Sequence, residues 1–457
     1  MMASKLRRNP LNGLIVKRLL SGQTAAAKSS EAAEAVKSAQ LKTTTLPNGL
    51  VVTSLETFSP VAQIGVILRA GSRYEPQDKL GLSHTLRSMA GFTTENHTVF
   101  GITRNIEYVG GSLTAHTTRD DIVYILENDR TYTDLNIKYL AETITKPAFK
   151  RWQIKDNCGR QRVDLSHFKD QPNLVVMEAL HSVAFRGGLR NSLYSPDFMI
   201  GKHTTEDLHN YVEQHFVSNR AAVVGLGIDH KHLLELVEKH LPLARSDRGN
   251  SGQSKFIGGE TRIDSNSNTT YVAIATEGVG AKNQKEMICL ELLQIILGTG
   301  PNISYQDGSH TKLGAAVAKA TSEPFAVSAF NMSYSDTGLF GINIAASAKD
   351  IHKAVKAAVT QLRDTAKNIS AEELKNAKNN LKASLFLSCD DYNYMIEEIG
   401  TESLNYGSVL SLPEFQKALD SVTVQDVTGL ATKIVKTKGA MASYGNLQNA
   451  PFLEDLI

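Results

Sequence analysis

No run in this 457-residue sequence approaches the roughly 18 consecutive apolar residues of a membrane-spanning helix, so any hold on a membrane has to come through partners. Cysteine is scarce: Cys158, Cys289 and Cys389 are odd in number, far apart and without a Cys-x-x-Cys pair. That pattern excludes a disulfide framework and a cysteine-built metal or iron–sulfur site, suits a reducing compartment, and leaves the three as packing residues. Haem attachment through Cys-x-x-Cys-His is absent, as are a Gly-x-Ser-x-Gly nucleophile elbow, a GxGxxG turn and a Gly-Lys-Ser/Thr phosphate loop. Charge of one sign is also lacking. The formal net charge is +2, with no basic cluster interleaved with aromatics in the body of the chain, so no nucleic-acid partner is expected.

Acid is missing from one place in particular. Residues 1–20 carry Lys5, Arg7, Arg8, Lys17 and Arg18, and the first acid is Glu31; taking these five charges from +2 leaves a body of −3. Leu6, Leu11, Leu14, Ile15, Leu19 and Leu20 can line one face of an induced helix, and Arg18-Leu19-Leu20-Ser21 matches a matrix cleavage pattern. Residues 1–20 therefore read as a mitochondrial transit peptide, followed by a flexible lead-in over 21–40.

The rest is ordinary soluble protein, 41% hydrophobic and 21% charged, and long enough for about two to four domains. An Asn48-Gly49 turn between short extended runs predicts a hairpin, and Val61–Ala70 a buried strand ended by Gly71. A helix carries Leu82, Leu86 and Met89. Ile106–Val109, Ser112–His116 and Ile122–Leu126 read as strands, and Leu135–Ile144, Trp152–Val163 and Leu174–Ala184 as helices. Thr204-Thr205-Glu206-Asp207 caps a further helix before the strand Ala221–Gly225. Ser246–Ser254, with five Gly or Ser in nine residues, reads as a linker. Beyond it Tyr271–Gly278 repeats the strand-then-Gly of Val61–Gly71. Thr423–Val427 and Ala440–Ser443 repeat Thr204–Leu208 and Ala221–Val224 at a common offset of 219. The expectation is an α+β fold of two tandem homologous domains with mostly antiparallel sheets: 41–245, a linker over 246–259, and 260–457.

The stretch Gly81–Phe92 has the frame of an inverted zinc motif, His-x-x-Glu-His, which places two imidazoles at i and i+4 on one helical face with a glutamate base between them. Here the frame reads His84, Thr85, Leu86, Arg87, Ser88. A hydroxyl has replaced the second ligand and a guanidinium the base. At 4 Å and an effective dielectric near 20, that fixed charge opposes a dication by about 8 kcal/mol. No catalytic residue and no metal or other cofactor are expected.

The motifs Leu46-Pro47-Asn48-Gly49-Leu50, Ala70–Glu75, Gly81–His84 and Ala179–Phe185 resemble the mitochondrial processing peptidase and pitrilysin family, from about Leu41 to the C-terminus. In that family the third zinc ligand is a glutamate 76 positions after the second histidine, which here falls on Asp164, read as a solvated or salt-bridged helix residue. Gln171-Pro172, Ala316–Lys319, Pro324–Asn331, Ser333–Gly341 and Ser443–Leu447 are similar to a noncatalytic branch that serves as core subunits of respiratory complex III, ubiquinol–cytochrome c reductase. The resemblance implies a chain without peptidase activity, peripheral on the matrix side of the mitochondrial inner membrane in a dimeric complex. The partners it implies are the homologous core protein 1, cytochrome b, cytochrome c1, the Rieske iron–sulfur protein and small subunits. The alternative it leaves is the noncatalytic, substrate-binding subunit of a processing peptidase. The stretch corresponding to that subunit's glycine-rich loop, Leu297–Gly308, has its three glycines scattered among Pro, Asn and Tyr.

Overall fold

The computed structural model describes residues 41–246, 254–300, 311–409 and 411–456; the expected transit peptide, the lead-in, half of the 246–259 linker and most of the 297–308 stretch lie outside them. The first half contains β1 (Lys42–Thr45), β2 (Val51–Leu55), β3 (Val61–Leu68), α1 (Leu82–Ser88), α2 (Val99–Tyr108), β4 (Ser112–Thr117) and β5 (Ile122–Asp129). It continues with α3 (Thr133–Thr145), α4 (Arg151–Lys169), α5 (Pro172–Ala184), β6 (Phe185–Arg186), α6 (Thr205–His215), β7 (Ala221–Leu226) and α7 (His230–His240). The second half has β8 (Lys255–Phe256), β9 (Gly259–Asp264), β10 (Thr269–Glu277), α8 (Gln284–Leu297), α9 (Lys312–Ala320), β11 (Phe325–Ser333) and β12 (Gly338–Ser347). Then come α10 (Ile351–Lys367), α11 (Ala371–Ser388), α12 (Tyr392–Tyr406), α13 (Leu412–Ser421), α14 (Val424–Val435) and β13 (Gly439–Gly445).

Two large sheets result among the described residues, ordered β1-β2-β7-β3-β5-β4 and β11-β12-β10-β13-β9, besides the short pair β6-β8. In each, the first long strand runs parallel to the last (β2 with β7, β9 with β13) and the other pairs are antiparallel. Register shows the duplication directly. Leu68 pairs with Ala221 in the first sheet and Ala275 with Ala440 in the second, so β10 lies 207 positions after β3 and β13 lies 219 after β7. The same 219 relates two complete capping boxes, Thr204 with Asp207 on α6 and Thr423 with Asp426 on α14.

The sequence pattern explains why β3 is buried along nearly its whole length. Ile64, Val66 and Leu68 face the helices of their own half, whereas Ile67 on the opposite face joins Ile125, Val224, Ile396 and Ile399. The last two come from α12, a helix of the second half. The exchange is reciprocal, because Val176, Leu180 and Ala184 of α5 pack on Ala273, Ala275, Ala440 and Ala442 of the second sheet. Each sheet is thus covered on both faces, which calls for continuously apolar strands rather than alternating ones. Close approach also requires small residues: a Cβ at Gly65 would lie 2.1 Å from Ile396 Cγ2, and one at Gly400 would lie 2.4 Å from Ile67 Cδ1.

Two sequence expectations need correction. Ile106–Val109 is not a strand but the end of α2, whose N-cap Thr98 accepts from Gly101 N and whose Ile102 and Ile106 point inward one turn apart. A short apolar run ending at Gly-Gly does not distinguish the two periods, and here helical spacing to Ile102 decides. Lys255–Phe256, placed in the linker, instead pairs with Phe185–Arg186.

The halves are pinned by a buried ionic knot. Arg73, 5% exposed, donates from Nη1 to Asp120 Oδ1 at 3.0 Å, Asp336 Oδ1 at 2.8 Å and Ser335 Oγ at 3.0 Å, and from Nη2 to Asp336 Oδ2. Asp120 Oδ2 accepts from Ser335 N and Asp336 Oδ2 from Ser254 N, both at 2.9 Å. Burial works against both charges. The hydrogen bonds outweigh it, raising Arg73 above the ordinary guanidinium value and holding Asp336 below the usual carboxylate range. Beside the knot, Tyr334 OH donates to His181 Nε2 at 2.7 Å, His181 Nδ1 being committed to Met177 O, and Arg119 Nη2 donates to Glu178 Oε1 at 2.7 Å.

Asp336→Ala leaves Arg73 buried with one carboxylate fewer, and is expected to lower stability by about 3–5 kcal/mol in urea unfolding. Gly65→Ala is expected to cost about 1–3 kcal/mol through its collision with α12; an unchanged urea midpoint would contradict the packing described.

Candidate functional site

Helix α1 starts at Gly81, whose φ of +89° is a left-handed conformation. Glu75 fixes that start by accepting from Gly81 N at 2.7 Å, Ser83 N at 2.8 Å and Ser83 Oγ at 2.5 Å, while burial pushes its pKa up to about 7. Thr85 ties the helix to α4 and to the loop before α6, through Gln161 Nε2 at 2.7 Å and His203 Nδ1 at 2.9 Å.

The folded chain brings His84, Arg87 and Asp164 together. His84 is fully buried, and its Nδ1 accepts from Ser195 N at 3.1 Å. That donor assigns the ring proton to Nε2, which donates to Asp164 Oδ2 at 3.1 Å. Arg87 Nη2 donates to the same oxygen, also at 3.1 Å. Burial, and next the Arg87 charge, lower the His84 pKa to about 4 against the pull of Asp164, so the ring is neutral at pH 7. Tyr194 closes the site: its ring meets His84 edge-on at 5.6 Å, lies 5.7 Å from the Arg87 guanidinium and stacks on Phe168 at 4.6 Å. Ser88 turns aside, donating to Thr85 O at 3.0 Å and accepting from Asn157 Nδ2 at 2.6 Å.

These residues do not fit zinc. A catalytic site needs three protein ligands, whereas this one offers an imidazole and a carboxylate with a guanidinium beside them. The imidazole is also set the wrong way. A histidine that ligates through Nε2 carries its proton on Nδ1 and gives it to a carbonyl or carboxylate, but here Nδ1 faces the Ser195 N–H, a donor. Among the described residues no group of three His, Cys, Asp or Glu side chains is arranged to hold a metal ion. Glu178 and His181, one helical turn apart, do not converge either, the first bonding Arg119 and the second Tyr334. His230 at the start of α7 joins Thr44 Oγ1 and Ser54 Oγ at 2.8 Å each.

Sequence reasoning missed Phe168, Tyr194 and Ser195. Ser195 acts through its backbone N–H, for which the sequence carries no signal, and the two aromatics act through a loop fold that periodicity does not report.

Comparison with known proteins places residues 50–197 in the domain family described as insulinase (peptidase family M16) and residues 202–381 in the one described as peptidase M16 inactive domain. The mitochondrial cytochrome b-c1 complex subunit 2 of Homo sapiens is 39% identical over 91% of this chain and 92% of its own length. The Rattus norvegicus subunit is 38% identical over the same shares. A probable alpha-2 subunit of the mitochondrial-processing peptidase of Arabidopsis thaliana is 30% identical over 91% of this chain and 84% of its own.

Because the unfolded His84 side chain binds a proton near pH 6.5 and the folded one only near pH 4, its contribution to stability is complete above pH 6.5 and is lost as pH falls toward 4. The loss amounts to about 3 kcal/mol at most. His84→Gln is expected to flatten this part of the stability profile, read from urea midpoints at pH 7 and pH 5; a slope equal to that of the native chain would refute the assignment.

Proposed function

From the premise that the chain belongs to the M16 peptidase family, with both of its domains in tandem, we infer a structural core subunit of the mitochondrial cytochrome b-c1 complex, respiratory complex III, with no peptidase activity of its own. The observation that carries this reading is the near end-to-end match to subunit 2 of that complex at 39% identity, against 30% for the processing-peptidase relative. The His84, Arg87 and Asp164 constellation supports it. In an active peptidase of this kind a metal activates water; here the pocket holds a neutral imidazole, a shared carboxylate oxygen and a guanidinium, none of which can replace that metal. The site's remaining work is structural, tying α1 to α4 and to the loop that carries Tyr194 and Ser195.

In this reading the chain serves assembly and stability of the complex, while electrons pass through other subunits. Its partners are the homologous core protein 1, cytochrome b, cytochrome c1, the Rieske protein and small subunits, and it sits peripherally on the matrix side of the inner membrane. Among the described residues no helix is long and apolar enough to cross a membrane, in keeping with attachment through partners. The match to an alpha-type processing-peptidase subunit favours a second reading, the noncatalytic half of a soluble peptidase pair.

Mild-detergent solubilisation, native separation and zinc analysis of the band decide between the two. The expected outcome is co-migration with haem-bearing cytochromes and no zinc attributable to this chain. A haem-free pair with a zinc-bearing homologue would establish the second reading.

A further inference from the structure

The outer helical layer of the second half contains a groove that neither the lost metal site nor the contact between halves uses. It lies between α9 and α10, which pack through Leu313, Val317, Ile351 and Val355 on the β11–β12 side of the sheet, opposite the face that α5 covers. Its volume is about 790 Å³. Its charged lining is all of one sign: Lys312, Lys319, Lys353 and Lys356 stand along it, with His352 beside them and no Asp or Glu. Two of these lysines have carboxylates of their own outside the groove, Lys312 with Glu373 at 2.8 Å and Lys353 with Asp350 at 3.1 Å. Lys319 and Lys356 are exposed and form no ion pair among the described residues.

The floor is as regular as the rim. On α9 the lining residues Lys312, Ala315, Ala316, Lys319 and Ala320 follow helical spacing and form one face; on α10 Lys353, Lys356, Ala357 and Thr360 do the same. At about 1.5 Å rise per residue, each face runs about 10–12 Å. Alanine at the floor lets a third helix approach closely, and the lysines stand two on each wall, Lys312 and Lys319 on α9 and Lys353 and Lys356 on α10, instead of ringing one point. That arrangement matches a rod with acids along its sides better than a single compact anion.

We propose that the α9–α10 groove is the docking site for an acidic amphipathic helix, about two turns of which lie in it, from a neighbouring subunit, its small apolar residues on the alanine floor and its Asp or Glu side chains, three or four residues apart, against Lys319, Lys356 and their neighbours. Single exposed ion pairs contribute little, so the lysines orient the helix and speed its arrival while burial on the floor retains it. The proposal rests on the subunit reading and adds to it the chemistry of one contact.

The test places a photo-crosslinking amino acid at Ala316 or Ala357 and irradiates the haem-containing complex isolated in mild detergent, with the crosslinked peptide identified by mass spectrometry. The expected product joins this chain to one segment of another subunit carrying at least two acids at helical spacing. Lys319→Glu together with Lys356→Glu, both on exposed positions and checked for an unchanged melting temperature, is expected to reduce its yield roughly tenfold. Crosslinking only to lipid, to a second copy of this chain or to a segment without acids overturns the proposal, as does a yield indifferent to charge reversal or no crosslink at all. A chain absent from the haem band overturns the subunit reading and this contact with it; a chain present there without the crosslink overturns the contact alone.

Discussion

The bidentate grip of Arg73 on Asp336 is the interaction on which the two-domain arrangement turns. A guanidinium taken out of water is tolerable only if nearly all its charge is met by fixed acceptors, and here Asp120 from its own half and Asp336 and Ser335 from the other provide them. The knot specifies as well as stabilises. Planar, forked recognition admits one relative placement of the β11–β12 turn against the Ser72–Tyr74 turn. The apolar part of the contact, α5 on alanines and α12 on Gly65 and Ile67, is smoother and depends on the knot for its register.

The same economy is visible where a peptidase would keep its metal. A site with one ligand and the base replaced still has a carboxylate and an imidazole that need partners, and the substitutions supply them. Arg87 neutralises Asp164, the imidazole proton is set toward that carboxylate by the Ser195 amide, and Tyr194 packs against His84 and Arg87. The result is a tie between α1 and α4.

Much of this was legible in the sequence. The family resemblance pointed to Asp164 as the counterpart of the third ligand and to a salt-bridged role for it, and the fold places its carboxylate 3.1 Å from both His84 Nε2 and Arg87 Nη2. The 219-residue offset anticipated two capping boxes that the fold contains. What escaped has common physical causes. Ile106–Val109 was too short to reveal its period until Ile102 was counted with it. The reciprocal packing of α5 and α12 is a property of long-range tertiary contact, for which a continuous apolar strand such as β3 gives a hint of two-sided burial but no identity for the cover. Arg73 and Asp336 sat in the Ala70–Glu75 and Ser333–Gly341 stretches that carried the family resemblance, but only the fold shows that one binds the other.

The exchange of helices also sets the order in which this chain can become complete. When the first half has been synthesised, the face of its sheet that carries Ile67 and Val224 still awaits α12, and Arg69 awaits acceptors 335 and 336 residues further along. Until those arrive the half-made protein shows water an apolar surface, the condition in which chains stick to one another. Contacts this distant in sequence also slow the search for the native state. The geometry that makes the finished molecule rigid therefore makes its youth hazardous, and places the demand for chaperone protection on the interval between the ends of the first and second sheets.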